Sequence, residues 1–195
     1  MLSDITTRRS TRKFKNRVIP ANMLEVVIEA GRYAPSGCNV QQAHFIVVQS
    51  KSVLTKLGEL VQQEFAKMEP SDDMPQTVKN NIAGAKAGNK SFHYNPQILI
   101  IVANSVENPN AMADTACAIN NMMIMANHIN LGSCWINQLR WLQDNEVLID
   151  YLKSIGMKEG EKVYGSMALG FPDTANGMPE RKPLARTGNE VTFVE

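Results

Sequence analysis

The chain has few of the residues that build disulfide frameworks and metal centres. Its 195 residues include three cysteines and three histidines. The cysteines are Cys38, Cys117 and Cys134. Because they are odd in number and lack C-x-x-C spacing, the sequence encodes neither a disulfide framework nor a zinc or iron–sulfur site. The histidines are isolated in sequence, so we expect no bound metal. This cysteine usage is typical of a reducing compartment, and we expect the cytoplasm.

Long apolar runs and a strong net charge are also missing. No stretch approaches the roughly 18 consecutive apolar residues of a membrane span, and the first residues contain no apolar segment resembling a signal peptide. The formal net charge is +1 at pH 7. We therefore expect no membrane partner and no nucleic-acid partner, because such proteins usually carry a field over the whole molecule. The G-x-G-x-x-G pattern of a separate dinucleotide-binding domain is absent as well.

What the sequence does contain is a basic stretch, RRSTRKFKNR at residues 8–17, in which six of ten residues are cationic. Arg8 and Arg12 project to the same side in a helix and in a strand, and Ser10 joins them if the backbone is extended. Two guanidinium groups and a hydroxyl suit a terminal phosphate group. A solvated basic surface is the alternative from this stretch alone, because charge runs usually lie on the surface.

Two further polar patterns occur along the chain. Arg181 and Lys182 form a second basic pair in a proline-bounded segment. In PSGCNVQ, Asn39 and Gln41 are two residues apart, so an extended backbone would place both amides on one face. Paired amides suit the edge of a flat heterocycle that carries carbonyls and ring nitrogens, and a polar turn is the alternative.

Hydrophobic periodicity predicts alternating helices and strands, and thus a sheet layered with helices in one domain over residues 1–195. The predicted helices span residues 21–34, 52–68, 108–131 and 145–155, and the predicted strands span residues 44–50, 96–104, 133–139 and 162–172. Asn108 is expected to cap the third helix, with Pro109 at its first position. Residues 69–95 have weak periodicity and predict an irregular, partly helical excursion of the kind that often forms a lid.

Four blocks in sequence order resemble the FMN-dependent nitroreductase family along nearly the whole chain. They are RRSTRKF, APSGCNVQQAHFIVV, INLGSCWI and LGFPDTANGMPERKPL. The resemblance implies an α+β fold, with a mixed, mainly antiparallel sheet flanked by helices around a long central helix. It also implies a domain-entwined homodimer whose two FMN sites lie in the subunit interface, each lined by both protomers.

The resemblance implies cofactor contacts at positions that match the family's motifs. Those matching the phosphate-binding motifs are Arg8, Arg9, Ser10, Arg12, Arg181 and Lys182. Those matching the segment contributed by the second protomer are Pro35, Ser36, Gly37, Asn39 and Gln41. Those behind the flavin ring are Ile136, Asn137 and Gln138. Many relatives carry glycines where this chain has Asn137 and Gln138, which is a departure from the pattern. Gly170 matches a glycine that lets the backbone approach the cofactor.

The chemistry implied by the resemblance is that of an NAD(P)H oxidoreductase reducing nitroaromatic, quinone or related acceptors by ping-pong hydride transfer through flavin N5. No catalytic side-chain acid or base is then required, because the cofactor carries the chemistry. A cation near the ring, Arg9 or Arg181, would stabilise the reduced flavin. The candidate substrate contacts are Phe92, His93 and Tyr94. The alternatives are a non-catalytic FMN-binding or storage protein of the same fold, and a basic-arm nucleic-acid module.

Overall fold

The structure is a computed structural model that describes residues 2–195, and in that range it contains seven α-helices and four strands. The helices are α1 (Leu2–Thr7), α2 (Ala21–Arg32), α3 (Lys51–Ala66), α4 (Gln76–Lys86), α5 (Ala111–His128), α6 (Gln138–Trp141) and α7 (Glu146–Ser154). The strands are β1 (His44–Val48), β2 (Ile98–Ser105), β3 (Gly132–Ile136) and β4 (Glu161–Gly170). Each helix and strand predicted from periodicity corresponds to one of these elements.

The strands form one sheet in the order β1-β2-β4-β3, and every neighbouring pair is antiparallel. Residues 98–104 of β2 are all buried, which explains why this strand appears in the sequence as an apolar run without alternation. A parallel component is the isolated bridge between Ser10 and Ser133. The α+β fold with a mainly antiparallel sheet is thereby confirmed.

Successive side chains of β2 enter two different hydrophobic layers. Leu99 and Ile101 pack in the cluster that includes residues of α3, α4 and α7. Ile98 and Ile100 pack in the cluster that includes residues of α2 and α5. This alternation is the two-residue period of a strand with both faces covered. The candidate site residues therefore lie at the sheet ends and in the loops.

The central helix α5 begins two residues later than the sequence predicts. Asn108 does not cap a helix that starts at Pro109. Its Oδ1 accepts the Asn110 N–H (2.9 Å), and its Nδ2 donates to Asp114 (2.9 Å). These bonds hold a turn through Pro109, so the N-cap position falls at Asn110. The helix also ends at His128, short of the predicted end at residue 131.

Two further boundaries differ from the prediction. The strand predicted over residues 133–139 ends at Ile136, because the Asn137 carbonyl accepts the Trp141 N–H (3.0 Å) and starts the short helix α6. The excursion at residues 69–95 contains a well-packed helix, α4, whose Ala85 carbonyl accepts a hydrogen bond from Gln62 Nε2 of α3 (2.8 Å). A role for this excursion as a lid remains a prediction.

The basic stretch lies across the ends of β3 and β4. The Thr11 N–H donates to the Ser133 carbonyl (2.9 Å), and the Lys15 N–H donates to the Phe171 carbonyl (2.8 Å). A Cβ added at Gly132 would lie 2.6 Å from the Thr11 side chain, so only glycine lets the two segments approach this closely. The fold thus fixes the cations of the N-terminal segment on one end of the sheet.

The C-terminal tail, residues 183–195, is exposed and has no helix or strand within the described chain. Its apolar side chains Leu184, Val191, Phe193 and Val194 are all exposed. Such a concentration of exposed apolar side chains in one segment is unusual for a monomer.

Candidate functional site

The basic stretch is extended where it meets β3, and this geometry gathers three of the predicted side chains. Arg8, Ser10 and Arg12 all act on the thiol of Cys134: Ser10 by a hydrogen bond and the two arginines by their charge. Burial raises the pKa of this thiol, and Arg12, Ser10 and Arg8 oppose that rise. Two guanidinium groups and a hydroxyl therefore lie near one side chain, as the i, i+2, i+4 spacing predicts.

Arg8 is the member of this group with an unused donor. Its Nη1 atom is buried and has no hydrogen-bond partner among residues 2–195. Burial is the main cause that lowers the pKa of Arg8, followed by the charge of Arg9, while Cys134 acts in the opposite direction. A half-buried guanidinium with an unpaired donor and cationic neighbours is a favourable place for an anion.

Arg9 connects the two ends of the chain. Its Nε donates to the Lys182 carbonyl (2.7 Å), its Nη2 donates to the Thr6 carbonyl (2.9 Å), and its Nη1 donates to the Arg8 carbonyl. All three nitrogens are thus used within the chain. The two basic motifs found in the sequence, 173 residues apart at this contact, are neighbours in the fold.

Arg181 lies at the C-terminal end of α5. Its Nη2 donates to the Asn127 carbonyl and to Asn130 Oδ1 (2.6 Å for the second). The partial negative charge at a helix C-terminus favours a cation there. The Nε atom of Arg181 is buried and has no partner in the described part of the chain. The Lys182 side chain is exposed.

Sequence reasoning does not find two residues of this region. Arg186 acts on Arg8 by its charge, and Cys134 lies at the point where the side chains of the basic stretch converge. Arg186 could have been found, because it lies four residues after Lys182 in the same RKPLAR segment. The position of Cys134 depends on the register of β3 against the basic stretch, which periodicity does not give. We call the set Arg8, Arg9, Arg12, Arg181, Lys182 and Arg186 the cationic cluster.

Residues 35–41 form the polar turn that the sequence allows, and not the extended segment that would present the Asn39 and Gln41 amides on one face. Gly37–Asn39 form a 3-10 turn, and Asn39 and Gln41 have φ angles of 55° and 53°. Ser36 Oγ accepts the Gln41 N–H (3.1 Å) and closes the turn. Asparagine is among the few residues that adopt this left-handed conformation readily. The segment lines a cavity of about 170 Å³ beside α2 and α5 through Pro35, Ser36 and Gln41.

This segment and the cationic cluster lie at opposite ends of α5. The Gly37 N–H donates to Asp114 Oδ1 (3.0 Å) in the first turn of the helix, whereas Arg181 contacts Asn127 in its last turn. Thirteen residues of α-helix separate Asp114 from Asn127, which corresponds to about 20 Å. Within one chain the two predicted groups of cofactor residues are therefore far apart.

The stretch after β3 lines an open cavity of about 250 Å³. Residues on its walls include Ile136, Asn137, Gln138, Tyr94, Trp135 and Trp141. Asn137 Oδ1 accepts the Trp135 indole N–H (2.7 Å), and Gln138 Nε2 donates to Asn81 Oδ1 (2.8 Å). The guanidinium carbon of Arg12 lies 5.8 Å from the Tyr94 ring centroid. Arg12 thus connects the cationic cluster with this cavity.

Gly170 is packed against an aromatic ring. It pairs with Gly132 in the β3–β4 register, and a Cβ added to it would lie 2.7 Å from Phe14 Cδ1. This contact by itself requires a residue without a side chain at position 170. The cofactor contact implied by the resemblance remains a prediction.

The three candidate substrate residues face different surroundings. Phe92 is buried in the hydrophobic cluster of α3 and α4 and lines a cavity of about 110 Å³. Tyr94 borders the cavity beside Ile136. His93 lines a larger cavity, of about 610 Å³. Among these three side chains, it is Tyr94 that the fold brings next to residues 136–138.

His93 has both ring nitrogens engaged. Nε2 lies 3.0 Å from the Leu54 carbonyl, and Nδ1 accepts the Asn95 N–H (3.1 Å). Nε2 must then carry the proton and donate, so the ring is neutral. Burial lowers the pKa of His93, and the Leu54 contact opposes this only in part. His93 therefore holds the 91–95 loop against α3.

Across residues 2–195, no group of three or more His, Cys, Asp or Glu side chains is arranged to hold a metal ion. In the same range, no helix has the length and apolarity that a bilayer span requires.

The fold and the site together define an α+β protein in which cationic side chains from both ends of the chain lie together at one end of an antiparallel sheet. The chain belongs to the Nitroreductase family, whose family model matches residues 5–171.

The similarity extends over whole chains of solved relatives. A nitroreductase from Bacteroides fragilis NCTC 9343, crystallised with bound FMN, is 36% identical with a TM-score of 0.86, covering 100% of this chain and 98% of that one. A nitroreductase from Desulfitobacterium hafniense DCB-2 is 24% identical with a TM-score of 0.81, covering 100% and 97%. The Bacillus subtilis protein YfhC, named "Putative NAD(P)H nitroreductase", is 26% identical over 186 residues, which are 92% of this chain and 88% of that protein.

Proposed function

We propose that this protein is an FMN-dependent NAD(P)H oxidoreductase that reduces nitroaromatic, quinone or related oxidised acceptors, with donor and acceptor using one pocket in turn. Membership of the Nitroreductase family and the FMN bound to the Bacteroides fragilis relative support the cofactor. The name of the Bacillus subtilis relative supports the nicotinamide donor.

The observation that carries this proposal is the buried, unpartnered Nη1 of Arg8. Arg12 and the Ser10 hydroxyl act on the same Cys134 thiol as Arg8, and a phosphate monoester offers acceptor oxygens to all three side chains. A near-dianionic group can leave water only if it is paired with charge and hydrogen-bonded. The residues that are present therefore fit the phosphate end of FMN. Arg8, Ser10 and Arg12 would hold it, and Arg181 Nε offers a second unpaired buried donor nearby.

When bound, FMN supplies hydride acceptance and donation at its N5 atom. The chain's own residues bind the flavin, orient it and exclude water from it. Trp135, Ile136 and Trp141 give the cavity beside β3 apolar walls suited to a flat ring. Arg9 and Arg181 donate to backbone and amide oxygens, so Arg12, next to Tyr94, is the better placed cation to stabilise negative charge near the ring.

The proposed assembly is a homodimer in which each FMN contacts both chains. In support, residues 35–41 are held about 20 Å along α5 from the cationic cluster, so they could reach a shared cofactor only in a second chain. The exposed apolar residues of the tail, Leu184, Val191, Phe193 and Val194, are consistent with a surface that a second chain covers.

Purification followed by an acceptor assay tests this proposal. We expect a yellow protein that releases FMN on denaturation and that oxidises NADH or NADPH when nitrofurazone or menadione is added. A flavoprotein without such oxidation for either nicotinamide would favour the non-catalytic storage function. A colourless protein that does not take up added FMN would refute the proposal.

A further inference from the structure

The largest cavity among those described lies apart from the cationic cluster. It has a volume of about 610 Å³, within the roughly 300–1,000 Å³ typical of small-molecule sites. Residues from three segments surround it: the end of the basic stretch, the start of α3, and the loop that precedes β2. No member of the cationic cluster lines it in the described chain. Asn95 borders this cavity, whereas its neighbour Tyr94 borders the cavity beside Ile136.

The lining of this cavity is positively charged. Lys15, Lys51 and Lys90 all line it, and within the described chain no aspartate or glutamate does. Of the three lysines, Lys90 has an acidic neighbour, Glu59, whose carboxylate lies 3.9 Å from Lys90 Nζ; a long pair with 59% and 37% of its side chains exposed neutralises little charge. Three lysines that line one concave space attract anions from solution.

The cavity also has an apolar part and a set of amides. Phe14, Leu54 and Pro96 supply apolar surface, while Asn16 and Gln97 supply donors and acceptors. A lining of this kind binds an organic body as well as a charged group.

The walls are fixed by contacts within the chain. His93 bonds the Leu54 carbonyl on one side and the Asn95 N–H on the other. Gly58 packs so closely on the Lys90 carbonyl that an added Cβ would lie 2.5 Å from that oxygen. These contacts hold the loop against α3, so the cavity is formed before any ligand binds. A preformed site avoids the entropy cost of ordering its walls.

We propose that this cavity is a second ligand site, separate from the flavin, which binds a small organic anion with an apolar body. The anionic group, a carboxylate or a phosphate ester, lies among the lysines, and the body packs on Phe14 and Leu54. The site does not require the proposed oxidoreductase activity.

Phenyl phosphate and benzoate are suitable probes, with benzyl alcohol as the neutral control. Each is titrated by calorimetry into the FMN-saturated protein, while the visible spectrum reports contact with the flavin. We expect at least one of the two anions to bind without changing the spectrum and benzyl alcohol to bind much more weakly. Loss of one charge-assisted hydrogen bond in Lys51→Gln should weaken the anion about tenfold, and Lys90→Gln should do the same.

Lys56→Gln is the matched control, because Lys56 is exposed on the same helix and does not line the cavity. Its affinity for the anion should equal that of the wild type. The proposal is overturned if neither anion binds, if binding is unchanged in both Lys51→Gln and Lys90→Gln, or if binding perturbs the flavin spectrum. If the protein does not retain FMN, the same titration on the flavin-free chain still tests the cavity, so the two proposals fail independently.

Discussion

His93 is buried and Arg8 is half-buried, and the two side chains differ in whether their hydrogen-bonding atoms have partners. His93 is neutral and fully hydrogen-bonded, and its surroundings keep the 91–95 loop on α3. Arg8 keeps a buried donor without a partner. This unpaired donor destabilises the ligand-free chain, and it becomes hydrogen-bonded when an anion binds. A residue with unsatisfied bonding capacity is thus a better indication of function here than one whose bonds are complete.

The lowered pKa of His93 makes the stability of the protein depend on pH. Below the ordinary histidine value of 6.5, the unfolded chain takes up a proton that the folded chain still refuses, so the free energy of unfolding falls as pH drops towards the lowered pKa. We expect His93→Gln to flatten this dependence between pH 6.5 and about 5.5, a range above that in which the carboxylates of the unfolded chain begin to protonate.

Urea denaturation at a series of pH values measures this effect. His128→Gln replaces an exposed histidine that lies 3.4 Å from Asp4, and because it keeps His93 it should still lose stability as the pH falls through this range. An equal slope in His93→Gln and the wild type would contradict the buried, neutral assignment.

At the scale of elements, apolar periodicity alone predicts the positions of β1, β2 and β4 and of α2, α3 and α7. It predicts them because each buries a continuous face or stripe. The errors fall where side chains bond to nearby backbone. Asn108 holds the turn before α5, Gln138 Oε1 accepts the Asn137 N–H where β3 gives way to α6, and Ser36 closes the curl of residues 35–41. Such local bonds compete with regular structure and leave no periodic pattern.

The close packing of Gly132 on Thr11 makes an element-level prediction. An added methyl group would lie 2.6 Å from Thr11 atoms, so Gly132→Ala must push the basic stretch away from β3. We expect a loss of about 1–3 kcal/mol in unfolding free energy, as for other overpacked sites, together with weaker FMN retention. Thermal melting and flavin release measure the two effects.

Gly84→Ala is the control for this change. Gly84 lies within α4, and its nearest neighbour would be 3.8 Å from the added Cβ, so alanine fits there and favours the helix. The close-packing account fails if Gly132→Ala is as stable as Gly84→Ala and keeps the same flavin content.

On the scale of the whole molecule, the net charge is only +1, yet the cationic cluster concentrates positive charge at one place. Residues 8–12 and 181–186 come from opposite ends of the sequence, and Arg9 joins them through the Lys182 carbonyl. The family resemblance predicts that these motifs belong to one site, because four blocks occur in order. It does not predict that Cys134 lies beside Arg8, Ser10 and Arg12, or that residues 35–41 lie at the far end of α5, because both depend on three-dimensional packing.

The central claim is that the cationic cluster, organised around Arg8, holds the phosphate of FMN. Titration of FMN into flavin-free protein tests it most directly, with Arg8→Met compared to Arg17→Met. Arg17 belongs to the same basic stretch, but its guanidinium lies over the Phe171 ring at 4.0 Å.

The account predicts tight binding for the wild type and Arg17→Met. Because charge-assisted hydrogen bonds are lost, Arg8→Met should bind FMN roughly ten- to a hundredfold more weakly. Equal FMN affinity in all three proteins, or no FMN binding by the wild type, would contradict it.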